Sequence, residues 1–221
     1  MADKRKNTDQ MIDSLTDGLQ SVRPVLPPLK RTLLWSAVLL TVMIATAYLL
    51  KGFRADITVK LASTEFVGEN LVLVLIGILS LFAGFRLSVP DIRYGKAPFA
   101  IIGGIIAIGL AVNLFLFLTV DAHSIHTEVE QHGMFYHCIT NLLSLIFAPA
   151  VAVYVLARKS APVMPLWTGY AVLVGVLALG AAVMRHVCAV DSAAHLLIWH
   201  FLPALGISLC GILLGALLLR W

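Results

Sequence analysis

Six apolar runs, each parted from the next by a short polar stretch, dominate the chain: about Leu33–Leu50, Leu71–Leu87, Phe99–Leu118, Ile139–Leu156, Leu166–Met184 and Leu196–Leu219. Each is near the ~20 residues that carry a helix across a bilayer. The pattern predicts an all-α polytopic membrane protein with six transmembrane helices. Gly103-Gly104, Gly175, Gly180, Gly206, Gly211 and Gly215 fall inside these runs. Between membrane helices such residues permit close backbone approach. Gly211 and Gly215 form a G-x-x-x-G, which reads as packing within the bundle rather than between chains. Pro149, inside the fourth run, predicts a kink.

Ahead of the first run, residues 1–31 are polar, yet Met11, Ile12, Leu15, Leu19 and Val22 recur at helical spacing. Asp9, Asp13 and Asp17 lie on the other side. This predicts a short amphipathic helix over about Thr8–Ser21, with Thr8 or Asn7 as its N-cap. Pro24 ends it, and Pro27-Pro28 give a stiff link to the membrane. One apolar residue per turn between acidic flanks suits a groove on a partner protein better than an anionic lipid surface. Two units follow: residues 1–30 as a partner-binding arm, and residues 31–221 as a six-helix domain.

Composition supports the membrane reading, with 60% hydrophobic and only 13% charged residues in 221. A soluble domain is nearer a quarter charged. Without a basic stripe carrying interleaved aromatics, direct nucleic-acid binding is not expected. Charge placement sets orientation. Twelve of the sixteen lysines and arginines fall on the side of the N-terminal arm. Only Lys51, Arg54, Lys60 and Arg185 fall on the other. The positive-inside rule then puts both termini in the cytoplasm.

That orientation places all seven histidines on the non-cytoplasmic side. His123, His126, His132 and His137 follow the third run, and His186, His195 and His200 follow the fifth. Cys138 and Cys188 join them, while Cys210 falls mid-span and reads as packing. Trp35, Trp167, Trp199 and Trp221 read as interfacial anchors. Ionisable side chains at a membrane face are functional candidates by default. If the segment after Cys188 is helical, Cys188, Asp191 and His195 stand at i, i+3 and i+7 on one face. His200 lies well round a helix from His195, so both serve one site only if the helix breaks between them. Cys138 and Cys188 sit at the outer ends of consecutive antiparallel spans and can meet. Two chemistries then stay open: zinc or another soft transition metal held by thiolates and imidazoles, or a disulfide. No C-x-x-C, Walker loop, nucleophile elbow or H-E-x-x-H occurs, so an enzyme is not expected.

The arm, Val22-Arg23-Pro24-Val25-Leu26-Pro27-Pro28, six spans, Phe85-Arg86-Leu87-Ser88-Val89-Pro90, the two cysteines and Trp199-His200-x-x-Pro203 together give a resemblance. The chain resembles the NrsF family of bacterial anti-sigma factors. The resemblance implies an inner-membrane protein that holds an extracytoplasmic-function sigma factor through its cytoplasmic arm. It implies release under metal or oxidative stress. Carried over here, Met11, Ile12, Leu15, Leu19 and Val22 would grip the sigma factor. Cys138 and Cys188 would sense, with His200 and His195 completing the site; Asp191 and His137 are further candidates from their positions in the sequence. The alternative is a metal-binding or metal-transporting membrane protein. The spans offer it little, since Cys210, Asn113, Asn141 and a few hydroxyls make a thin ion path.

Overall fold

The computed structural model describes residues 2–17, 26–89, 95–130 and 132–220. Among them every regular element is helical. Six helices are long and apolar enough to cross a membrane, with mean hydropathy of 2.0 to 2.6. They are α2 (Pro28–Leu50), α4 (Thr64–Leu87), α5 (Ala97–Thr119), the His137–Arg158 part of α7 (His132–Arg158), α8 (Pro165–Met184) and a final composite helix. That last span runs through α9 (Ala193–His195), a π-helical turn (Leu196–Phe201) and α10 (Leu202–Leu218). Two short helices, α3 (Ile57–Leu61) and α6 (Ala122–Glu130), lie in the connections and have no counterpart in the apolar pattern.

The N-terminal helix α1 covers Ala2–Thr16, so it starts earlier than its apolar stripe. Thr8 and Asn7 lie inside it rather than capping it. Ala2 to Lys6 contain no helix breaker, and Ala, Lys and Arg are strong helix formers. Met11, Ile12 and Leu15 are exposed, at 64%, 52% and 70%. The stripe therefore has no cover within the described part of the chain. Leu19, Val22 and the expected stop at Pro24 lie outside the described residues.

The fifth span is the hub. Fifteen of the twenty residues of α8 are buried, and it packs on α2, α4, α7 and α10. Glycines allow this. A Cβ on Gly175 would lie 2.6 Å from Leu81 Cγ, one on Gly180 2.4 Å from Ile146 Cγ2, and one on Gly169 2.4 Å from the Gly211 carbonyl oxygen. Gly211 and Gly215 thus face α8 of the same chain, as the spacing predicts. Gly103, Gly104 and Gly206 correct the sequence reading, because a Cβ there meets nothing within 4 Å. They lie on the periphery, where α5 buries only Pro98 and Ile102. Cys210 is a second correction: it is exposed on the surface of α10 rather than packed. Tyr154 ties three helices by donating to the carbonyls of Gly169 (2.8 Å) and Gly211 (3.3 Å). Pro149 sits within an unbroken α7.

At the arm end of the bundle, Arg31 is almost fully buried. Its guanidinium donates to Ser160 Oγ (2.6 Å) and to the Leu156 carbonyl, and lies 4.4 Å from the centre of the Phe85 ring. The start of α2 is thereby fastened to the end of α7 and to α4. A charge this dry needs its donors satisfied, and the carbonyls freed at the end of α7 supply the acceptor.

Candidate functional site

At the opposite end of the bundle, α8 ends at Met184 and the chain turns through residues 185–192 before α9. This turn carries Cys188. Its backbone N–H donates to the Met184 carbonyl at 2.8 Å, which closes the helix end. The segment after it is not helical, so Cys188, Asp191 and His195 do not share a helix face. Ser192 instead caps α9 by accepting the His195 N–H at 3.2 Å. The loop folds back, and the Cys188 sulfur meets His195 Nε2 at 3.4 Å.

His200 reaches the same place by an unexpected route. Five residues along an α-helix turn through about 500°, leaving His200 on the wrong side of His195. The helix does not break between them. It widens, with the Leu202 N–H bonded to the Leu197 carbonyl in the i→i+5 pattern. The rings of His195 and His200 then stand 5.2 Å apart, centre to centre. Pro203 has no N–H to offer the Trp199 carbonyl, so the α-helical ladder is already interrupted here.

Cys138, near the start of α7, completes the group, with its sulfur 3.5 Å from that of Cys188. One donor atom from each of Cys138, Cys188, His195 and His200 lies within 4.8 Å of every other. Three of the four side chains are buried, and Cys138 is half-buried. Zinc bonds of ~2.3 Å to sulfur and ~2.0–2.1 Å to nitrogen imply tetrahedral edges of about 3.8 Å between sulfurs and about 3.6 Å between sulfur and nitrogen. The observed 3.5 and 3.4 Å are within a few tenths of an ångström of those edges. A two-sulfur, two-nitrogen donor set is also what zinc and similar soft metals select. Both cysteines are free thiols here. The Cys188 thiol is held far below its usual range, first by the hydrogen bond from Cys138 and then by those from His195 and His200, against the opposing effect of burial. The cluster thus favours a thiolate, the form that binds metal and attacks disulfides.

Asp191 lies outside this group. Its carboxylate accepts from Arg54 (2.8 Å), Arg185 (2.8 Å) and Lys60 (2.7 Å). These three cations occupy the carboxylate, and it is not among the donors of the cluster. Hydrogen bonding from Arg54, then from Lys60, with the charge of Arg185 beside them, holds its carboxyl well below the usual range. His137 is exposed at the start of the span, next to the cluster in sequence but not among its donors. His123 and His126 are exposed on α6, and His126 faces Glu130 at 3.4 Å. His186 packs its ring edge-on to Phe66 and its Nδ1 is 2.9 Å from the Ala182 carbonyl oxygen.

The residue that sequence reasoning passed over is Arg54. Its side chain is almost completely buried. It donates to the carbonyls of Cys188 (2.9 Å) and Ala189 (3.3 Å), to both carboxylate oxygens of Asp191, and to both of Asp56. Its own N–H donates to the His186 carbonyl at 2.9 Å. Arg185 extends the network to Glu69 at 2.6 Å. The thiol loop is therefore clamped to the α2–α3 connection by a buried guanidinium. A signal was available: Arg54, Lys60 and Arg185 are cations on the cation-poor side, matched there by Asp56, Glu69 and Asp191.

Comparison with known families matches residues 15–221 to NrsF, described as negative regulator of sigma F. No curated protein and no solved structure matches the chain.

Proposed function

Because this chain belongs to the NrsF family of negative regulators of sigma F, we propose that it is a membrane-held anti-sigma factor whose Cys138–Cys188–His195–His200 cluster is its input site. Its partner is a sigma factor of the extracytoplasmic-function class, gripped by the Met11, Ile12 and Leu15 face of α1, with Leu19 and Val22 continuing that face. It resides in the bacterial inner membrane with both termini cytoplasmic, as a regulator rather than an enzyme. The cluster would then face the periplasm and respond to a soft metal or an oxidant.

The observation that carries this reading is the four-donor cluster, at the end of the bundle away from the arm. One helix spans the distance. Cys138 is near one end of α7, and Leu156, whose carbonyl accepts from Arg31, is near the other. Arg31 stands three residues after Pro28, where the arm joins the bundle. A shift of α7 at the cluster would be felt at that joint. Driving a two-state switch from 1:99 to 99:1 needs ~5.5 kcal/mol of differential binding. A structural zinc site supplies ~10–16 kcal/mol, so partial coupling suffices. A disulfide, typically worth ~2–4 kcal/mol, shifts the balance less completely.

Oxidation is the second reading, favoured by the 3.5 Å between the sulfurs. Closing that gap to a disulfide requires an oxidant that takes two electrons and two protons from the thiols. The deciding experiment measures metal content and free thiols in the purified full-length protein, before and after zinc or peroxide. In parallel, a sigma-dependent reporter is followed in cells carrying Cys138→Ser with Cys188→Ser. The expected result is normal membrane insertion with no response to either stress. A double variant that responds like the parent would remove the sensor role. Retention of the sigma factor by a Leu15→Asp protein would remove the proposed grip.

A further inference from the structure

A second site lies between the helices of the bundle, beside the cluster, with which it shares His200. A cavity of about 190 Å³ opens between α4, α5, α8 and α10, lined almost wholly by apolar side chains. Three buried polar atoms on its lining residues have no hydrogen-bond partner among the described residues: Asn113 Oδ1, Arg185 Nε and His200 Nε2. Arg185 and His200 are each 8% exposed. Polar atoms buried without partners are rare in folded proteins and call for an explanation. An apolar pocket with a few polar groups is the usual form of a small-molecule site.

The three partnerless atoms belong to residues toward one end. Arg185 caps the outer end of α8, and Asn113 lies six residues, or about 9 Å, before the end of α5. The deeper wall, which includes Leu177 and Gly109, is apolar but for Tyr170 and Ser208, and the Ser208 hydroxyl already donates to the Leu205 carbonyl at 2.7 Å. A cavity of ~150 Å³ accommodates one benzene molecule. This one therefore takes a single six-membered ring, and its open side between the helices lets a tail run out among lipid chains.

Hydrogen-bond roles narrow the chemistry. The Asn113 amide nitrogen donates to the Gly109 carbonyl at 2.8 Å, which fixes the amide orientation and leaves Oδ1 as an acceptor. Arg185 Nε is a donor, and the other two nitrogens of that guanidinium are engaged by Asp191 and Glu69. The site thus needs a neutral group that both gives and takes a hydrogen bond at one end of an apolar ring. A hydroxyl on an aromatic ring does both. A phospholipid ester or a quinone carbonyl only accepts, and leaves Asn113 Oδ1 unmet.

We propose that the cavity bounded by Asn113, Arg185 and His200 is a binding site for a lipid-soluble phenol or hydroquinone, with its hydroxyl donating to Asn113 and accepting from Arg185. His200 stands in the wall common to this cavity and the Cys/His cluster, so an occupant constrains a ring that the cluster also uses. The site itself is independent of the anti-sigma reading.

The test uses the full chain in lipid nanodiscs with a decyl-substituted hydroquinone and its dimethyl ether, measured by equilibrium dialysis. The expected result is saturable 1:1 binding of the hydroquinone and about tenfold or weaker binding of the ether, which cannot donate. Asn113→Leu should abolish that discrimination. Gly109→Leu should abolish binding by filling the cavity; a Cβ there meets nothing within 4 Å, so the backbone at this position accepts a side chain. Equal, non-saturable partitioning of both probes would overturn the proposal, leaving the polar atoms to water. So would binding that survives both substitutions, or a co-purifying phospholipid that the hydroquinone fails to displace.

Discussion

Replacing Arg54 with methionine is the sharpest perturbation of the site, because it removes the clamp on the Cys188 loop without touching a sulfur or an imidazole. The stem volume is kept, so the loss is polar. Six side-chain hydrogen bonds disappear. They are not equal. The two to Asp56 go to a carboxylate that is half exposed, and add little. The Ala189 carbonyl, at 3.3 Å, is a weak acceptor. The bond to the Cys188 carbonyl at 2.9 Å has a charged donor and a buried setting, worth ~1.5–3 kcal/mol. Stripping one partner from a buried ion pair costs ~3–5 kcal/mol, but Asp191 keeps Lys60 and Arg185, so only a fraction applies. The sum is about 2–4 kcal/mol off the local opening energy of the loop.

Cys188 is 7% exposed and reacts with an alkylating reagent only when the loop opens. A drop of that size should raise its alkylation rate roughly 30- to 800-fold. The assay is mass-spectrometric labelling with a maleimide in a Cys210→Ser background, with chelator present. Arg54→Lys, which retains charge but not the fork, should fall between. Labelling of the Arg54→Met protein within about twofold of the parent would refute the clamp.

Three further outcomes follow from the same contacts. Gly169→Ala places a Cβ 2.4 Å from the Gly211 oxygen and 2.5 Å from Gly215 Cα, both backbone atoms that cannot swing aside. It should cost ~1–3 kcal/mol in unfolding from detergent, whereas Gly103→Ala and Gly206→Ala should be nearly neutral. Arg31→Met cuts the joint between α2 and α7, and should leave the sigma-dependent reporter unresponsive to metal while metal binding by the purified protein is retained. The Asp191 carboxyl is held below its ordinary value of 3.8 by its cations, so its stabilisation is complete above about pH 4 and is lost as pH falls through the lower, folded value. Asp191 should therefore add no pH dependence to the thermal midpoint between about pH 5 and 8, where its stabilisation is full and constant. Below about pH 4 the parent should lose stability faster than Asp191→Asn.

The fold was legible where one property repeats along the chain. Six apolar runs forecast six spans to within a few residues at most boundaries, because bilayer thickness constrains length and composition directly. The site was half legible. Cys138 and Cys188 were able to meet because consecutive spans are antiparallel, and His195 joined them, though through a folded-back loop rather than a shared helix face. His200 needed a break in the helix and obtained a π turn, a change in hydrogen-bond register that local residue preference scarcely encodes. Asp191 looked like a companion by spacing alone. Its real partners come from residue 54, residue 60 and the far end of α8, which no window around it contains.

The sequence by itself determined which segments prefer lipid, which end of the bundle collects the thiols and imidazoles, and the apolar stripe of the arm. These are properties of each segment against its solvent, and solvent preference is written locally. Only the tertiary structure decided that α8 is the hub, that Gly169 and Gly211 but not Gly103 lie at a contact, and that Arg54 and Arg31 fasten opposite ends. Those depend on which helix faces meet, and that choice is made jointly by six packed helices rather than by any one of them.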